Sequence, residues 1–208
     1  MGTAERKERE KERRRLDIIE SAENVFFSKG YENATMDDVA KEAELGKGTL
    51  YLYFDSKEEI YNEIISRGMT ILHNLFVEAA NNPGDGLCKT KKIGEAYIQF
   101  FKKYPNYYNA VLFDYGKEID PDNVPEKLME LKKKIMGLFI SIIQEGVNDG
   151  SIRSDLDPAK TAVLLWAEAA GVLQLMKFKG TILNRALNLD EEEFTSYFFE
   201  FTFNALKS

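Results

Sequence analysis

Apolar residues recur every three or four positions along most of the chain, a pattern that predicts helices throughout and an all-α fold. The first clear helix begins near Arg14 and ends before Gly30, which suits the left-handed position that follows a last turn. A short helix over residues 36–43 comes next, with Thr35 as its N-cap. Residues 44–46 leave room only for a tight turn into the following helix, an arrangement typical of a helix-turn-helix.

Residues 46–57 alternate hydrogen-bond donors with apolar side chains. The donors are Lys47, Thr49, Tyr51, Tyr53 and Lys57, and the apolar residues between them are Leu50, Leu52 and Phe54. Such a segment can bury one side and offer donors to phosphate oxygens and base edges on the other. We interpret it as a recognition helix from residue 46 to about 54. For Tyr51 and Tyr53 we favour phosphate contacts over burial, because so small a domain cannot bury every aromatic ring.

Ser56 and Glu59 have the spacing of a capping box, which begins a long helix that ends near Ala80. The apolar positions of this helix fall on one side, and its polar positions, including Ser66 and His73, fall on the other. Proline, glycine and asparagine divide the remaining chain into further helices, about nine in all. Those beyond the long helix cover about 87–103, a short stretch from 105, a helix that Gly150 ends, one that begins with Asp157 as N-cap and Pro158 as its first residue, and a last one from about 190 onward.

Composition is ordinary for a soluble globular protein, with 44% apolar and 30% charged residues. The single cysteine, Cys88, cannot form an internal disulfide, and we find no apolar run long enough to cross a bilayer, so we expect a cytoplasmic protein. The net charge of −7 is unusual for a protein that binds nucleic acid. Residues 5–15, however, hold seven cations against four glutamates. Both a solvated, salt-bridged helix start and a DNA-contacting arm are open interpretations of that run.

Three features within residues 14–65 form a dense motif: Gly30-Tyr31, Ala34-Thr35, and the run Thr-Leu-Tyr-x-Tyr-Phe-x-Ser-Lys-Glu-Glu that begins at Thr49. Together they resemble the DNA-binding region of the TetR family of bacterial regulators. Two positions depart from the commoner pattern of that family. Glu44 stands where the turn often has glycine, and we expect a small backbone penalty there; Gly46 stands where a serine cap is frequent and is an acceptable cap itself.

The resemblance implies roles for individual residues of this region. Lys47, Gly48 and Thr49 would open the recognition helix and reach base edges, and Gly48 would permit a close approach to the duplex. Phosphates would be bound by Thr35, Tyr51, Tyr53 and Lys57. The resemblance also implies two domains joined by the long helix. Residues 1–58 would form an arm and a three-helix DNA-binding domain, and residues 59–208 a helical effector-binding and dimerisation domain.

In TetR-like proteins a small ligand enters the second domain and shifts the connecting helix, which changes the separation of the recognition helices. Aromatic residues at helical spacing are more often plain core than a ligand site. Taken together, however, the aromatic surface of the second domain suggests a small hydrophobic effector, either aromatic or acyl. The candidate effector-binding residues are Tyr97, Phe101, Tyr104, Tyr108, Phe113, Met136, Phe139 and Trp166.

The last two helices indicate a homodimer. Residues 161–176 are mostly small or apolar, in a run that we judge too short and too interrupted to span a bilayer. The final helix is apolar over most of its circumference and needs cover from two directions. We assign one of these to a second subunit, with a central helix of a monomer as the alternative. The candidate interface residues are Ala167, Ala170, Gly171, Phe194, Tyr197, Phe198 and Phe201.

These patterns predict a ligand-responsive transcriptional repressor without a cofactor, which binds a palindromic operator in double-stranded DNA as a homodimer. A helical adaptor that binds only protein is the alternative, but it leaves the donors of residues 47–53 unexplained. An enzyme is disfavoured because the sequence has no histidine near Cys88, no phosphate-binding glycine loop and no metal-ligand spacing. The lone His73 fits a solvated position better than a ligand.

Overall fold

The computed structural model describes residues 3–112 and 124–208. The described residues form nine helices and no strand, apart from an isolated antiparallel bridge between Ile152 and Lys207, so the predicted all-α fold is confirmed. The helices are α1 (Thr3–Lys29), α2 (Met36–Glu42), α3 (Lys47–Leu50), α4 (Lys57–Ala80), α5 (Gly86–Lys103), α6 (Pro105–Leu112), α7 (Glu126–Asp149), α8 (Pro158–Leu187) and α9 (Glu191–Leu206).

The helices group into two compact units. The first unit contains the described residues of Met1–Gly68 and Asn109–Leu128, and the second contains those of Met69–Tyr108 and Met129–Ser208. Helices α4, α6 and α7 each have residues in both units. The predicted division at residue 58 concerns the roles of the two parts of the chain, and it stays a prediction.

One face of α1 supplies much of the core of the first unit. Its buried residues are Ile18, Ile19, Ala22, Val25 and Phe26, which lie within one arc of the helix at about 100° per residue. The sequence spacing predicts Leu16 on this face together with Ile19, Ala22, Val25 and Phe26. That prediction is wrong at Leu16, which is 42% exposed, and it leaves out Ile18, which is fully buried. Leu16 lies outside the arc because it is two residues before Ile18, a separation that carries a side chain more than halfway round the helix.

The helix-turn-helix begins at a complete capping box. The Thr35 hydroxyl accepts from the Asp38 N–H at 3.2 Å, and the Asp38 carboxylate accepts from the Thr35 N–H at 3.1 Å. In the turn, Glu44 has a φ of +54°, so the backbone penalty expected at this position is present. Gly46 is the N-cap of α3 and makes no side-chain cap bond.

The recognition helix is shorter than predicted. It is α-helical only over Lys47–Leu50, whereas the prediction extended it to residue 54. Beyond it the chain tightens, because the Leu52 N–H donates to the Thr49 carbonyl and the Tyr53 N–H to the Leu50 carbonyl, at 3.2 and 3.0 Å. These bonds span three residues instead of four, as in a 3₁₀ turn, and they bring Phe54 into the core.

Helix α4 is continuous over its 24 residues and ends at Ala80, as predicted. Its start differs in detail from a capping box. The Ser56 hydroxyl accepts from the Glu59 N–H at 3.1 Å, but the Glu59 carboxylate accepts from the N–H of Asp55, at 2.8 Å. The expected polar position of Ser66 is wrong: this residue is buried, and its hydroxyl donates to the Asn62 carbonyl at 2.8 Å.

In the second unit, α5 and α7 approach closely at two glycines. A Cβ atom at Gly86 would overlap the backbone nitrogen of Gly146, so neither helix could come this near with a side chain at that position. The start of α5 is capped by Asp85, whose carboxylate accepts from the Cys88 N–H at 2.8 Å. The Asp149 carboxylate accepts from the Gly86 N–H at 2.7 Å, which ties the end of α7 to the same place.

Helix α8 begins as predicted, with Asp157 as N-cap and Pro158 in the first turn. It continues well beyond the apolar run of residues 161–176, to Leu187, where Asn188 adopts a φ of +54°. The residues after 176 interrupt the apolar run with charges and one glycine but contain no proline, so the helix does not stop. By length and composition α8 is able to cross a membrane, and the predicted exclusion on length is therefore wrong. A core helix of a soluble protein passes the same test.

Candidate functional site

The short helix α3 is held against the first unit by two buried side chains. Leu50 is 0% and Phe54 1% exposed, so the beginning and the exit of the recognition segment are both anchored. The guanidinium of Arg15 lies 4.6 Å from the centroid of the Phe54 ring, in the position of a cation–π contact. The residues between these anchors therefore have little freedom to move relative to the core.

The predicted base-reading residues lie together on the solvent side of α3. Lys47, Gly48 and Thr49 are all exposed, Tyr51 is 43% exposed, and Tyr53 is half-buried. We call residues 47–53 the α3 tip.

Leu52 is a part of the α3 tip that the prediction did not single out. It is 79% exposed, the highest exposure among the large apolar residues of the described chain. An apolar side chain at a DNA-facing surface can contact the methyl group of thymine. The signal in the sequence was its distance of two residues from buried Leu50, which places the two on opposite sides of a helical turn.

Gly48 is not required by the fold. It has an ordinary backbone conformation, and a Cβ atom built there meets no atom within 4 Å. Alanine would be a better helix former at this position, by about 1 kcal/mol. A glycine that the surrounding structure does not need is consistent with an approach of the backbone to a partner outside the chain.

Lys47 is paired with Asp37 of α2. Their side chains are 2.7 Å apart, and both are well exposed. The hydrogen bond to Asp37 raises the pKa of Lys47 above its ordinary value, so the ammonium is charged at every physiological pH. An ion pair this exposed is weak and easily exchanged, because water and salt screen it. Lys47 can therefore leave Asp37 for a phosphate or a guanine edge.

Thr35 and Lys57, which were predicted to bind phosphates, are both engaged in holding the motif together. The Thr35 hydroxyl donates to the Asp38 carboxylate at 2.9 Å while it caps α2. The Lys57 ammonium donates to the carbonyls of Tyr31 and Ala34, at 2.8 and 3.0 Å, and lies 4.2 Å from the centroid of the Tyr31 ring. Their assignment to phosphate stays a prediction, and the contacts give both residues a structural task.

Asp38 has the most strongly shifted carboxyl group in this part of the chain. Hydrogen bonds from Lys29, at 2.5 Å, and from the side chain and backbone of Thr35 lower its pKa to about 2. The carboxylate therefore remains charged across the pH range in which DNA is bound, and the cap of α2 remains closed.

A second charged group, which the sequence did not reveal, joins three helices of the first unit. The Glu63 carboxylate on α4 receives Arg15 of α1 at 3.0 Å and Lys127 of α7 at 2.9 Å. Burial alone would raise the pKa of Glu63, but the hydrogen bonds from Lys127 and Arg15 outweigh it, and the pKa lies below the ordinary value. We call Arg15, Glu63 and Lys127 the α4 charge cluster.

The candidate effector residues fall into different environments within the second unit. Tyr97, Tyr108 and Phe139 are buried, Phe101, Tyr104 and Met136 are half-buried, and Trp166 is 44% exposed. Phe113 lies outside the described residues. The Tyr108 ring contacts those of Tyr97 and Phe101, with centroids 5.7 and 4.9 Å apart, whereas Phe139 is paired with Phe76 at 6.2 Å. The structure thus brings together one aromatic group around Tyr108 and leaves Phe139 in another.

The Tyr108 hydroxyl is a buried polar atom with no hydrogen-bond partner among the described residues. The Tyr108 side chain is 1% exposed, and burial raises its pKa well above the ordinary value. Burial also raises the pKa of Tyr97, whose ring is beside it. The nearby Tyr97 hydroxyl also raises the pKa of Tyr108, so any contact between the two hydroxyls is too long or too bent to satisfy the Tyr108 oxygen fully.

The candidate dimer residues include the most exposed aromatic rings of the second unit. Tyr197 and Phe201 of α9 are 64% and 66% exposed and stack with centroids 6.4 Å apart. Phe194, Phe198 and Ala170 are half-buried, while Ala167 and Gly171 are exposed. On α8 the prediction left out further exposed apolar residues, namely Val163, Leu164, Leu175, Phe178, Ile182 and Leu187. We call these exposed residues of α8 and α9 the α8–α9 apolar face.

A short exposed helix, fixed by a tight turn on a small helical core and followed by a long helix, defines a helix-turn-helix transcriptional regulator. Residues 18–64 match the family model described as bacterial regulatory proteins, tetR family. The chain is 30% identical to the HTH-type transcriptional regulator YhgD of Bacillus subtilis over 149 residues, which cover 71% of this chain and 76% of that one. It is also 30% identical to the HTH-type transcriptional repressor KstR2 of Rhodococcus jostii over 146 residues, or 69% and 70% of the two chains.

The fold has counterparts among solved structures. The regulator FadR of Bacillus subtilis, solved in complex with stearoyl-CoA, is 18% identical and superposes with a TM-score of 0.73, over 92% of this chain and 98% of that one. This protein belongs to the TetR family of bacterial transcriptional regulators. The predicted family is confirmed, and so is the predicted architecture with an N-terminal helix-turn-helix.

Proposed function

We infer that this regulator is a cytoplasmic repressor that binds a palindromic operator as a homodimer and is released by a small apolar effector. The observation that carries the proposal is the α3 tip. Its donors are exposed, and Leu50 and Phe54 anchor it to the core. The fold does not require a glycine at position 48, because a Cβ atom there would meet no atom within 4 Å. Family membership establishes a transcriptional regulator, and the geometry supports these finer assignments.

At the operator, the α3 tip would enter the major groove. Lys47 exchanges Asp37 for a guanine edge or a phosphate, while Thr49 and Leu52 reach base edges and Tyr51 donates to the backbone. Gly48 lets the α3 backbone approach the duplex. Thr35 and Lys57 act one step further back, because their bonds hold the loop and the cap that orient α2 and α3.

The α8–α9 apolar face supports the homodimer. Isolated exposed apolar residues are normal, but many large exposed apolar residues on two helices in contact with each other favour a protein interface. In a twofold dimer the same face of each subunit meets its copy. Two α3 tips would then read half-sites about 34–36 Å apart.

The aromatic group around Tyr108 supports the effector assignment. It offers apolar rings and one hydroxyl without a partner among the described residues, which suits an apolar ligand that carries a hydrogen-bonding group. Among proteins of this fold, the FadR structure holds stearoyl-CoA, so a long-chain acyl thioester is the first ligand to test.

Helices α4 and α7 would carry the signal. Both have residues in each unit, and in the first unit they meet Arg15 of α1 through the α4 charge cluster. A ligand that shifts α4 or α7 would therefore move Glu63 or Lys127. Through Glu63 the shift would reach Arg15 of α1, which contacts the Phe54 ring at the end of the recognition segment. Allosteric coupling of this kind is typically worth about 5- to 150-fold in affinity.

The test begins with selection of binding sites from randomised duplex DNA at low salt. We expect an enriched palindrome, and we expect its affinity for the protein to fall at least fivefold when stearoyl-CoA is added. A protein-binding adaptor without DNA binding would enrich no sequence. If a palindrome is enriched but neither acyl-CoA nor any compound of an apolar ligand library weakens binding, the DNA assignment stands and the effector assignment is contradicted.

A further inference from the structure

A cleft lies beside residues 7–17 of α1 and borders the α3 tip at Tyr53. Its volume is about 410 Å³. Four cations, two carboxylates and one tyrosine line it: Lys7, Lys11, Arg13, Arg14, Glu10, Asp17 and Tyr53. Tyr53 belongs to the α3 tip, so the cleft adjoins the DNA-reading surface within the same unit.

Most of the charges of α1 are segregated around the helix. At about 100° per residue, one side carries five cations, Arg6, Lys7, Lys11, Arg13 and Arg14. The other side carries Glu5, Glu8 and Glu12 together with Arg9 and Arg15. Glu10 is the one glutamate of residues 5–15 on the cationic side, and Arg6 pairs with it at 3.2 Å. A helix that needed only to be soluble would gain more from oppositely charged neighbours at every turn.

The four cations of the cleft have no anionic partner in the described chain. No described carboxylate lies within ion-pair distance of Lys7, Lys11, Arg13 or Arg14. Three other cations of the first unit behave differently, since Lys29 is paired with Asp38, Lys47 with Asp37 and Arg67 with Glu23. With four unpaired cations against two carboxylates, the lining of the cleft carries a net positive charge.

We propose that this cleft binds the phosphate backbone of the DNA that flanks each operator half-site. The proposal rests on the proposed function, because it assumes that the α3 tip is at the duplex. Lys7 and Arg14 are seven residues apart, which is roughly 10 Å along a helix, enough to follow about three phosphates of one strand. These contacts would add affinity without adding base specificity.

The test compares two DNA duplexes and two variants. One duplex holds only the selected operator, and the other extends it by ten base pairs on each side. The test variant carries Lys7→Gln, Lys11→Gln, Arg13→Gln and Arg14→Gln. The control removes the same charge elsewhere, through Lys91→Gln, Lys133→Gln, Lys134→Gln and Lys160→Gln, all at exposed positions of the second unit. Circular dichroism checks that both variants are folded.

We expect the wild type and the control variant to bind the extended duplex at least tenfold more tightly than the short one. The test variant should bind both duplexes with the same affinity. The slope of log affinity against log salt should fall in magnitude by about 0.9 for each phosphate that the protein no longer neutralises. For the dimer we expect this fall to be at least about 2, in the test variant alone. The ranking of operator mutants should not change.

Two results would overturn the proposal. One is an equal flank effect and salt slope in the test variant and the control; in that case the operator is still bound, so the proposed function survives. The other is a test variant that keeps the wild-type flank effect but loses the binding that the wild type shows to vesicles of anionic lipid or to single-stranded RNA. That result would assign the cleft to another anionic partner. Failure of the wild type to bind any operator would instead contradict the proposed function.

Discussion

The two units expose opposite kinds of surface. In the first unit the exposed side of the recognition segment is polar, apart from Leu52, around two buried anchors, Leu50 and Phe54. In the second unit large apolar rings are exposed on α8 and α9, with Phe178 and Phe201 at 62% and 66%. Polar donors on a rigid support suit a charged duplex, whereas apolar rings need a protein or a lipid to cover them.

This contrast also separates what each unit owes to local sequence. The α3 tip is set within about ten residues, by a cap, a turn and two apolar anchors. The α8–α9 apolar face and the aromatic group around Tyr108 are each formed by two consecutive helices, and they depend on how those helices pack and not on a local motif. The first unit is therefore defined by a motif and the second by packing. Experiments that disable one surface should leave the other intact.

The largest effect is expected from a charge in the α8–α9 apolar face. Phe201→Asp places two carboxylates in the dimer interface, where each would be desolvated without a partner. We expect the dimer dissociation constant to rise at least about 100-fold, and operator affinity to fall with it. Light scattering measures the mass. Ser196→Asp, on the exposed polar side of α9, is the control and should remain dimeric. A dimeric Phe201→Asp protein would remove this face from the interface.

The next effect concerns a single hydroxyl of the α3 tip. Tyr51→Phe keeps the ring and removes the donor to phosphate, a bond to a charged group worth about 1.5–3 kcal/mol. Operator affinity should fall roughly 10- to 100-fold by fluorescence anisotropy, while the dimer mass is unchanged. Tyr104→Phe, in the second unit, makes the same chemical change away from DNA. Equal affinities for the two variants would show that Tyr51 makes no such contact.

Gly48 separates the needs of the fold from those of DNA. Gly48→Ala should leave the protein as stable as before or more stable by up to about 1 kcal/mol in urea unfolding, because alanine favours a helix. Operator affinity should fall about tenfold, because a methyl group would keep the backbone from the duplex. Gly137→Ala is a matched control, since a Cβ at Gly137 also meets no atom within 4 Å. It should alter helix stability alone.

The smallest effect concerns the α4 charge cluster. The pKa of Glu63 is lower in the folded protein than in the unfolded chain, so its contribution to stability is present above the ordinary glutamate pKa and is lost as the pH falls through the folded value. The free energy of unfolding of the wild type should exceed that of Glu63→Gln by under about 1 kcal/mol at pH 7, since the cluster is partly exposed. The difference should vanish as the pH is lowered through the folded pKa of Glu63. A gap independent of pH would exclude the ionised carboxylate as its cause.

Much of the fold could be predicted because the residues that begin and end its helices act locally. Thr35, Ser56, Asp157 and Pro158 begin their helices as expected, since a cap depends on the three or four residues beside it. The end of α8 could not be predicted in the same way, because charges interrupt its apolar run after residue 176 while the helix continues to Leu187.

The site could be predicted only in part, because some of its contacts join residues far apart in the sequence. Lys57 bonds to carbonyls 23 and 26 residues away, and Glu63 receives Lys127 across 64 residues. No spacing rule reveals such pairs. Leu52 was within reach, since two residues on a helical turn place it opposite the buried Leu50.

The central claim is that a dimer presents two α3 tips to one face of DNA, and half-site spacing tests it most directly. The affinity of the wild type is measured for the selected operator and for the same operator with five base pairs inserted at its centre. That insertion turns the half-sites to opposite faces of the duplex, because one helical turn is about 10–10.5 base pairs. We expect affinity to fall at least 100-fold. Unchanged affinity would contradict the account, because the two half-sites would then be read independently.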